Sequence, residues 1–177
     1  PLIDKDQNKS IELATEIINS FEKKYEEKWL SMMRDKLGLL GVDDKDKLLI
    51  LDLLTWMHQK KLDYTNTFCH LMNEEKLKNK IYEDADFLNW KKKWKERVLS
   101  SGKNFKDCLK LMNLVNPLVI PRNYKVEEVI EAAEKNNLEP TKQLLDVLKR
   151  PYSFQKNTSA YQVPIISNKK YQTFCGT

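Results

Sequence analysis

The chain has 177 residues, of which 41% are apolar and 32% charged, with only 4 glycines; that is long enough for one domain with a core of its own, and too apolar and too poor in glycine for a disordered or collagen-like chain. Three cysteines without paired spacing exclude a disulfide scaffold. The net charge of +5 comes entirely from Lys149, Arg150, Lys156, Lys169 and Lys170, because no acidic residue follows Asp146 and the preceding residues cancel; this is a neutral body with a cationic end, not the basic stripe of a nucleic-acid binder.

Residues 11–37 place Ala14, Ile17, Ile18, Phe21, Tyr25, Trp29, Met32 and Met33 at helical spacing, which predicts a helix with one wide apolar face. Gly38 and Gly41 end it. Asp43 and Asp44 stand where they can cap a second helix through Leu48, Leu49, Leu51, Leu53, Leu54, Trp56 and Met57, apolar on nearly every side and therefore expected at the centre of the core. Asp63 is the expected N-cap of a short helix with Tyr64, Phe68, Leu71 and Met72 turned inward, and the Lys, Asn and Glu-rich run 73–80 is a solvated connector. From Asp84 a further helix carries Phe87, Trp90, Trp94 and Val98 on one face. Another runs from Phe105 to Leu114 and is closed by Asn116-Pro117.

Residues 125–136 and 140–149 read as an αα-hairpin with Val126, Val129, Ile130 and Ala133 facing Leu144, Leu145 and Leu148. Pro151 ends the regular pattern, and residues 151–177 read as an extended basic arm ending in Cys-Gly-Thr. With no paired strand runs, no repeat and no apolar stretch of the roughly 20 residues a membrane span needs, the fold class is all-α: a multi-helix bundle with a C-terminal αα-hairpin and an extended C-terminal arm. The division is 1–150 for the helical domain and 151–177 for the arm. A start at Pro1 without Met suggests a cut in a longer protein, and no membrane or nucleic acid is expected among its partners.

The run from Asn89 to Arg97 interleaves lysines with Trp90 and Trp94, a pattern that can stack bases, but the four-residue spacing puts both indoles on the face of Phe87 and Val98 and makes them core. His58, His70, Cys69 and Cys108 form no short-spaced ligand ladder, so the two thiols read as buried, inert hydrophobes. The carboxylates cluster at helix starts, where they complement the helix dipole. No nucleophile elbow, phosphate loop or metal motif is present, so no catalytic, cofactor-binding or metal-binding residue is expected in this chain.

Two features do invite a function. In Pro121-Arg122-Asn123-Tyr124, Arg122 can bridge to a carbonyl or carboxylate and Asn123 can cap the helix beginning at Lys125, or the two can offer directional hydrogen bonds to a ligand. Cys175, third from the end, is either an exposed thiol or one placed to reach a partner.

At these residues the sequence resembles the C-terminal part of the selenoprotein O family, also called YdiU. The resemblance rests on Asn116-Pro-Leu-Val-Ile-Pro-Arg-Asn123, Glu127-Glu128 with Ala132-Ala133, Leu145 and Leu148 before Arg150-Pro151-Tyr152, and the terminal Tyr171-Gln-Thr-Phe-Cys-Gly-Thr177. Upstream, Met33-Arg34, Lys36-Leu37-Gly38-Leu39 and Asp63-Tyr-Thr-Asn-Thr-Phe68 fit as well. It implies a cytoplasmic, bacterial-type parent with a kinase-like (pseudokinase) fold that binds ATP with Mg2+ or Mn2+ and transfers AMP to Ser, Thr or Tyr hydroxyls of substrate proteins.

The nucleotide and metal residues of that family belong to the kinase-like region upstream, so none maps here. Cys175 maps to the family's terminal selenocysteine or cysteine, which implies a redox-sensitive contact with a cysteine of the upstream domain; Arg122, Asn123, Lys169 and Lys170 are candidate interdomain contacts. From a different class, a stand-alone helical interaction module binding acidic partners fits the charge distribution too.

Overall fold

The computed structural model describes residues 3–73 and 79–164. Among these, the elements in chain order are α1 (Gln7–Lys36), α2 (Asp46–Gln59), α3 (Tyr64–Met72), a 3-10 turn (Lys80–Glu83), α4 (Ala85–Ser100), α5 (Phe105–Val115), α6 (Asn123–Glu134), α7 (Glu139–Leu148) and α8 (Thr158–Gln162), with no strand. The all-helical class follows from that inventory. The chain divides into two compact units, the first made from the described residues of Pro1–Trp56 and Tyr82–Met112, the second from those of Met57–Ile81 and Asn113–Thr177.

In the first unit α1 begins four residues before its apolar pattern, because the Asp6 carboxylate accepts from the amides of Asn8 and Lys9 at 2.8 and 3.2 Å. It ends in a left-handed turn at Gly38, φ 65°, from which the Leu39 amide reaches back to the Arg34 carbonyl at 2.9 Å. Only glycine fits there, since a Cβ would lie 2.8 Å from the Cys108 carbonyl oxygen and 3.0 Å from Met112 Cγ.

The core of this unit is a row of rings. Trp56 stacks on Phe87 at 4.6 Å between centroids, Phe87 on Trp90 at 5.8 Å and Trp90 on Trp94 at 6.0 Å, and Trp94 meets the edge of Phe105 at 5.9 Å. Burial of an indole leaves an N–H that needs an acceptor. Trp90 Nε1 donates to the Leu49 carbonyl and Trp94 Nε1 to the Leu37 carbonyl, each at 2.8 Å, and Trp56 Nε1 donates to Asp84, the N-cap of α4, at 3.0 Å. The indoles of 90 and 94 are thus core, as their spacing indicates, with Leu37, Ile50, Leu53 and Val98 buried in the same unit.

Two expectations change here. The second helix is not apolar-packed on every side: Ile50 and Leu53 are buried, but Leu48 and Leu51 are exposed. Asp43 and Asp44 do not cap its first turn as a pair. Asp43 accepts from the Lys45 amide at 2.8 Å, while the Asp46 carboxylate, in the helix itself, reaches back to the Asp43 amide at 3.0 Å.

In the second unit Asp63 caps α3 as expected, its Oδ1 accepting from the Asn66 amide at 2.8 Å, and Phe68 and Leu71 are buried while Tyr64 is partly exposed. α6 and α7 form the hairpin, turned by Asn136 at φ 59°. Its faces differ from the sequence reading. Leu144 and Val147 are the buried residues of α7, Leu145 points to solvent, and Ile130 on α6 is exposed.

The arm is not extended throughout its described part. α8 forms within it because the Thr158 hydroxyl accepts from the Gln155 amide at 2.7 Å and the Gln155 side chain donates to the carbonyls of Val147 and Arg150. Those anchors are side-chain bonds to backbone groups three to eight residues away, which a periodicity reading does not register.

Candidate functional site

Arg122 immediately precedes α6, and its guanidinium grips the N-cap of α3. Nη1 donates to Asp63 Oδ2 at 2.7 Å, Nη2 to Asp63 Oδ1 at 3.0 Å and Nε to the Tyr161 carbonyl at 3.2 Å. The fork is bidentate, the geometry that lysine cannot copy. Asn66 extends it by donating to the Gln162 carbonyl, and Gln162 in turn donates to the Leu118 carbonyl at 3.0 Å.

Burial raises the Asp63 pKa, but Arg122 and the Asn66 amide outweigh it and hold the carboxyl below its ordinary value. This arrangement joins α3, the entry to α6 and α8 within one unit. Arg122 thus makes the carbonyl and carboxylate bridge. Asn123, by contrast, is the first residue of α6 and exposed, and no side chain caps that helix.

A second charged cluster lies in the first unit, and the sequence reading missed it. Asp46 is fully buried; Arg34 Nε donates to its Oδ2 and Arg97 Nε to its Oδ1, both at 2.7 Å, and Arg97 Nη2 adds a bond at 3.2 Å. Burial pushes this carboxyl up, and the bonds from Arg97, Arg34 and the Asp43 amide pull it below the ordinary value. Sequence distance concealed the cluster, since Arg97 is 51 positions from Asp46; a signal was present in Arg97 standing on the last turn of a helix otherwise faced with lysines.

Both clusters consist of carboxylates satisfied by guanidiniums, so neither offers a free base. An open cavity of about 450 Å3 beside α2 and α4 is lined by Asp43, Asp52 and Glu96 against Lys45, Lys93 and Arg97, a mixture that selects neither a phosphate nor a cation. One of about 580 Å3 in the second unit is lined by Met72, Leu118, Tyr152 and Phe154 with the amides of Asn73 and Gln162. Cys69 borders it, is buried, and its thiol donates to the Pro117 carbonyl at 3.5 Å. Cys108 is also buried, and desolvation with Asp107 nearby raises its thiol pKa, which keeps it protonated and unreactive. Among the described residues no group of three or more His, Cys, Asp or Glu could hold a metal ion. Cys175, Lys169 and Lys170 lie outside the described residues.

Fold and clusters together define a class: a helical scaffold in which buried ion pairs fix helix to helix. The chain belongs to the protein adenylyltransferase SelO family, whose pattern matches residues 5–149. It is 47% identical, over 100% of its length, to the protein nucleotidyltransferase YdiU of Pelagibacter ubique, covering 37% of that protein. It is 41% identical to the protein of the same description from Alcanivorax borkumensis, with 99% of the chain and 37% of the relative aligned, and 39% identical to that of Nitrosococcus oceani, with 100% and 36%. The chain therefore spans little more than a third of the length of these relatives. No helix among the described residues is long and apolar enough to cross a membrane.

Proposed function

We propose that these residues are the helical C-terminal part of a pseudokinase-fold protein adenylyltransferase, which transfers AMP from ATP to Ser, Thr or Tyr hydroxyls of substrate proteins in the cytoplasm of a bacterial-type cell. One observation carries this reading: the chain aligns over its whole length with protein nucleotidyltransferases yet covers only 37% of the first of them. The ATP and Mg2+ or Mn2+ site then belongs to the kinase-like region upstream, and the helical part braces that region. Arg122, Asn123, exposed at the start of α6, Lys169 and Lys170 are the contacts proposed toward it, with the Arg122 guanidinium also bound to Asp63 in its own unit.

Cys175 is the redox element in this reading. Its thiol and a cysteine thiol of the kinase-like region lose two protons and two electrons to a peroxide, forming a disulfide that a dithiol reverses. The test is transfer of labelled AMP from ATP to protein by a family-length polypeptide, made by joining to this chain the part of the Pelagibacter ubique relative that it does not match. Transfer that changes between peroxide and dithiol, and no longer does so in Cys175→Ser, is the expected result. A redox response unchanged by the substitution removes the clamp. Transfer by the 177 residues alone, or saturable capture of acidic peptides by them with no transfer by the longer chain, overturns the assignment.

A further inference from the structure

The first helix carries more apolar surface than its own unit covers. α1 is 30 residues long, about 45 Å, yet Met33 is its only buried residue. Ile11, Ile18, Phe21, Tyr25 and Met32 are between 47% and 71% exposed. They are not scattered. Ile11, Ile18, Tyr25 and Met32 are seven residues apart, and Ala14 and Phe21 fall between them at three- and four-residue steps, so all lie on one stripe with the spacing of a helix–helix seam. Phe21 and Tyr25 stack at 6.1 Å along it. Most helical stability comes from packing an apolar face, and the described residues leave the larger part of this one exposed.

We propose that this stripe seats one helix from the part of the family's polypeptide that these residues do not cover, packed nearly parallel or antiparallel to α1; the inference rests on the reading given under Proposed function. The length relation supplies the occupant, because each of the three relatives leaves more than half of its own length outside the alignment. A second copy of α1 is the weaker fit. The seam runs two heptads before Lys28 takes its next position, short of the three to four that sustain a self-paired coil, and a parallel in-register pair would set Lys28 against Lys28. The expected partner face is apolar at heptad spacing with a carboxylate opposite Lys28.

Hydrogen exchange across residues 7–28 tests this, comparing the 177 residues alone with the joined family-length polypeptide, and with the uncut Pelagibacter ubique relative as a natural check. The expected result is exchange slower by on the order of tenfold or more in the longer chains, abolished by Phe21→Asp and kept in Glu16→Ala, with the Trp94 region equally protected throughout. Equal exchange with and without the added chain overturns the proposal, as does protection that survives Phe21→Asp. A concentration-dependent dimer of the 177 residues that Phe21→Asp dissociates assigns the stripe to a second copy and overturns it too. AMP transfer by the joined chain is read separately: absent transfer with a protected α1 defeats the functional reading alone, and transfer with an unprotected α1 defeats the docking alone.

Discussion

Asp46 ties Arg34 of α1 and Arg97 of α4 to the start of α2 in the first unit. Its carboxylate is fully buried between two guanidiniums whose side chains are 15% and 12% exposed, so Asp46→Asn leaves two cations facing each other without a countercharge. Breaking a buried pair by removing one partner costs about 3–5 kcal/mol; urea unfolding followed by tryptophan fluorescence is expected to show a loss of that order. Gly38 is constrained differently. Gly38→Ala meets both the positive φ, about 1–2 kcal/mol for an L residue, and the Cys108 carbonyl, whereas Gly41→Ala at φ 79° meets only the first because its surroundings are open. The Gly38 variant should therefore lose more stability in the same urea series, and equal losses would show that the close approach to Cys108 is easily relieved.

At the scale of elements, the hairpin and the arginine fork make separable predictions. Val147 is buried and Leu145 exposed on the same helix. Val147→Ala should cost about 1–2 kcal/mol and Leu145→Ala within about 0.5 kcal/mol, the reverse of the order that the helical pattern of α7 suggests. Arg122→Lys keeps the charge but loses the two-point grip on Asp63, a change of about 1–3 kcal/mol. Hydrogen exchange should rise in α3 and at the start of α6 and stay unchanged in α4. The helices themselves were legible from periodicity, as were the Asp63 cap and the two core tryptophans, because those signals lie within a few residues of one another. The short α8 was not, since its anchors reach from Gln155 back to Val147 and Arg150.

For the whole molecule, acid is the informative stress, because each unit holds an arginine-paired carboxylate with a lowered pKa, the buried Asp46 in the first and the partly buried Asp63 in the second. A carboxyl whose folded pKa lies below its unfolded one stabilises the fold above the unfolded value, about 3.9 for Asp, and that contribution is lost as pH falls through the folded value. Stability measured by urea midpoints is thus expected to be level on this account above about pH 5 and to fall progressively below about pH 4. Asp46→Asn should be less stable at neutral pH and show a shallower acid decline. A decline that is as steep in the variant would assign acid sensitivity to other carboxylates.

Sequence alone determined what depends on neighbours along the chain: helical class, most helix positions, the fate of Trp90 and Trp94, and the family, whose short motifs keep their order across the 177 residues. It also singled out Arg122 and its ability to bridge a carboxylate. Tertiary structure decided which carboxylate, which face of α7 is buried, and that Arg34 and Arg97 converge on Asp46. It also decided that the described residues leave most of the apolar face of α1 exposed. The reason is physical: spacing says that a face is apolar, but burial requires a second surface, and which surface arrives is fixed by chain segments tens of residues away.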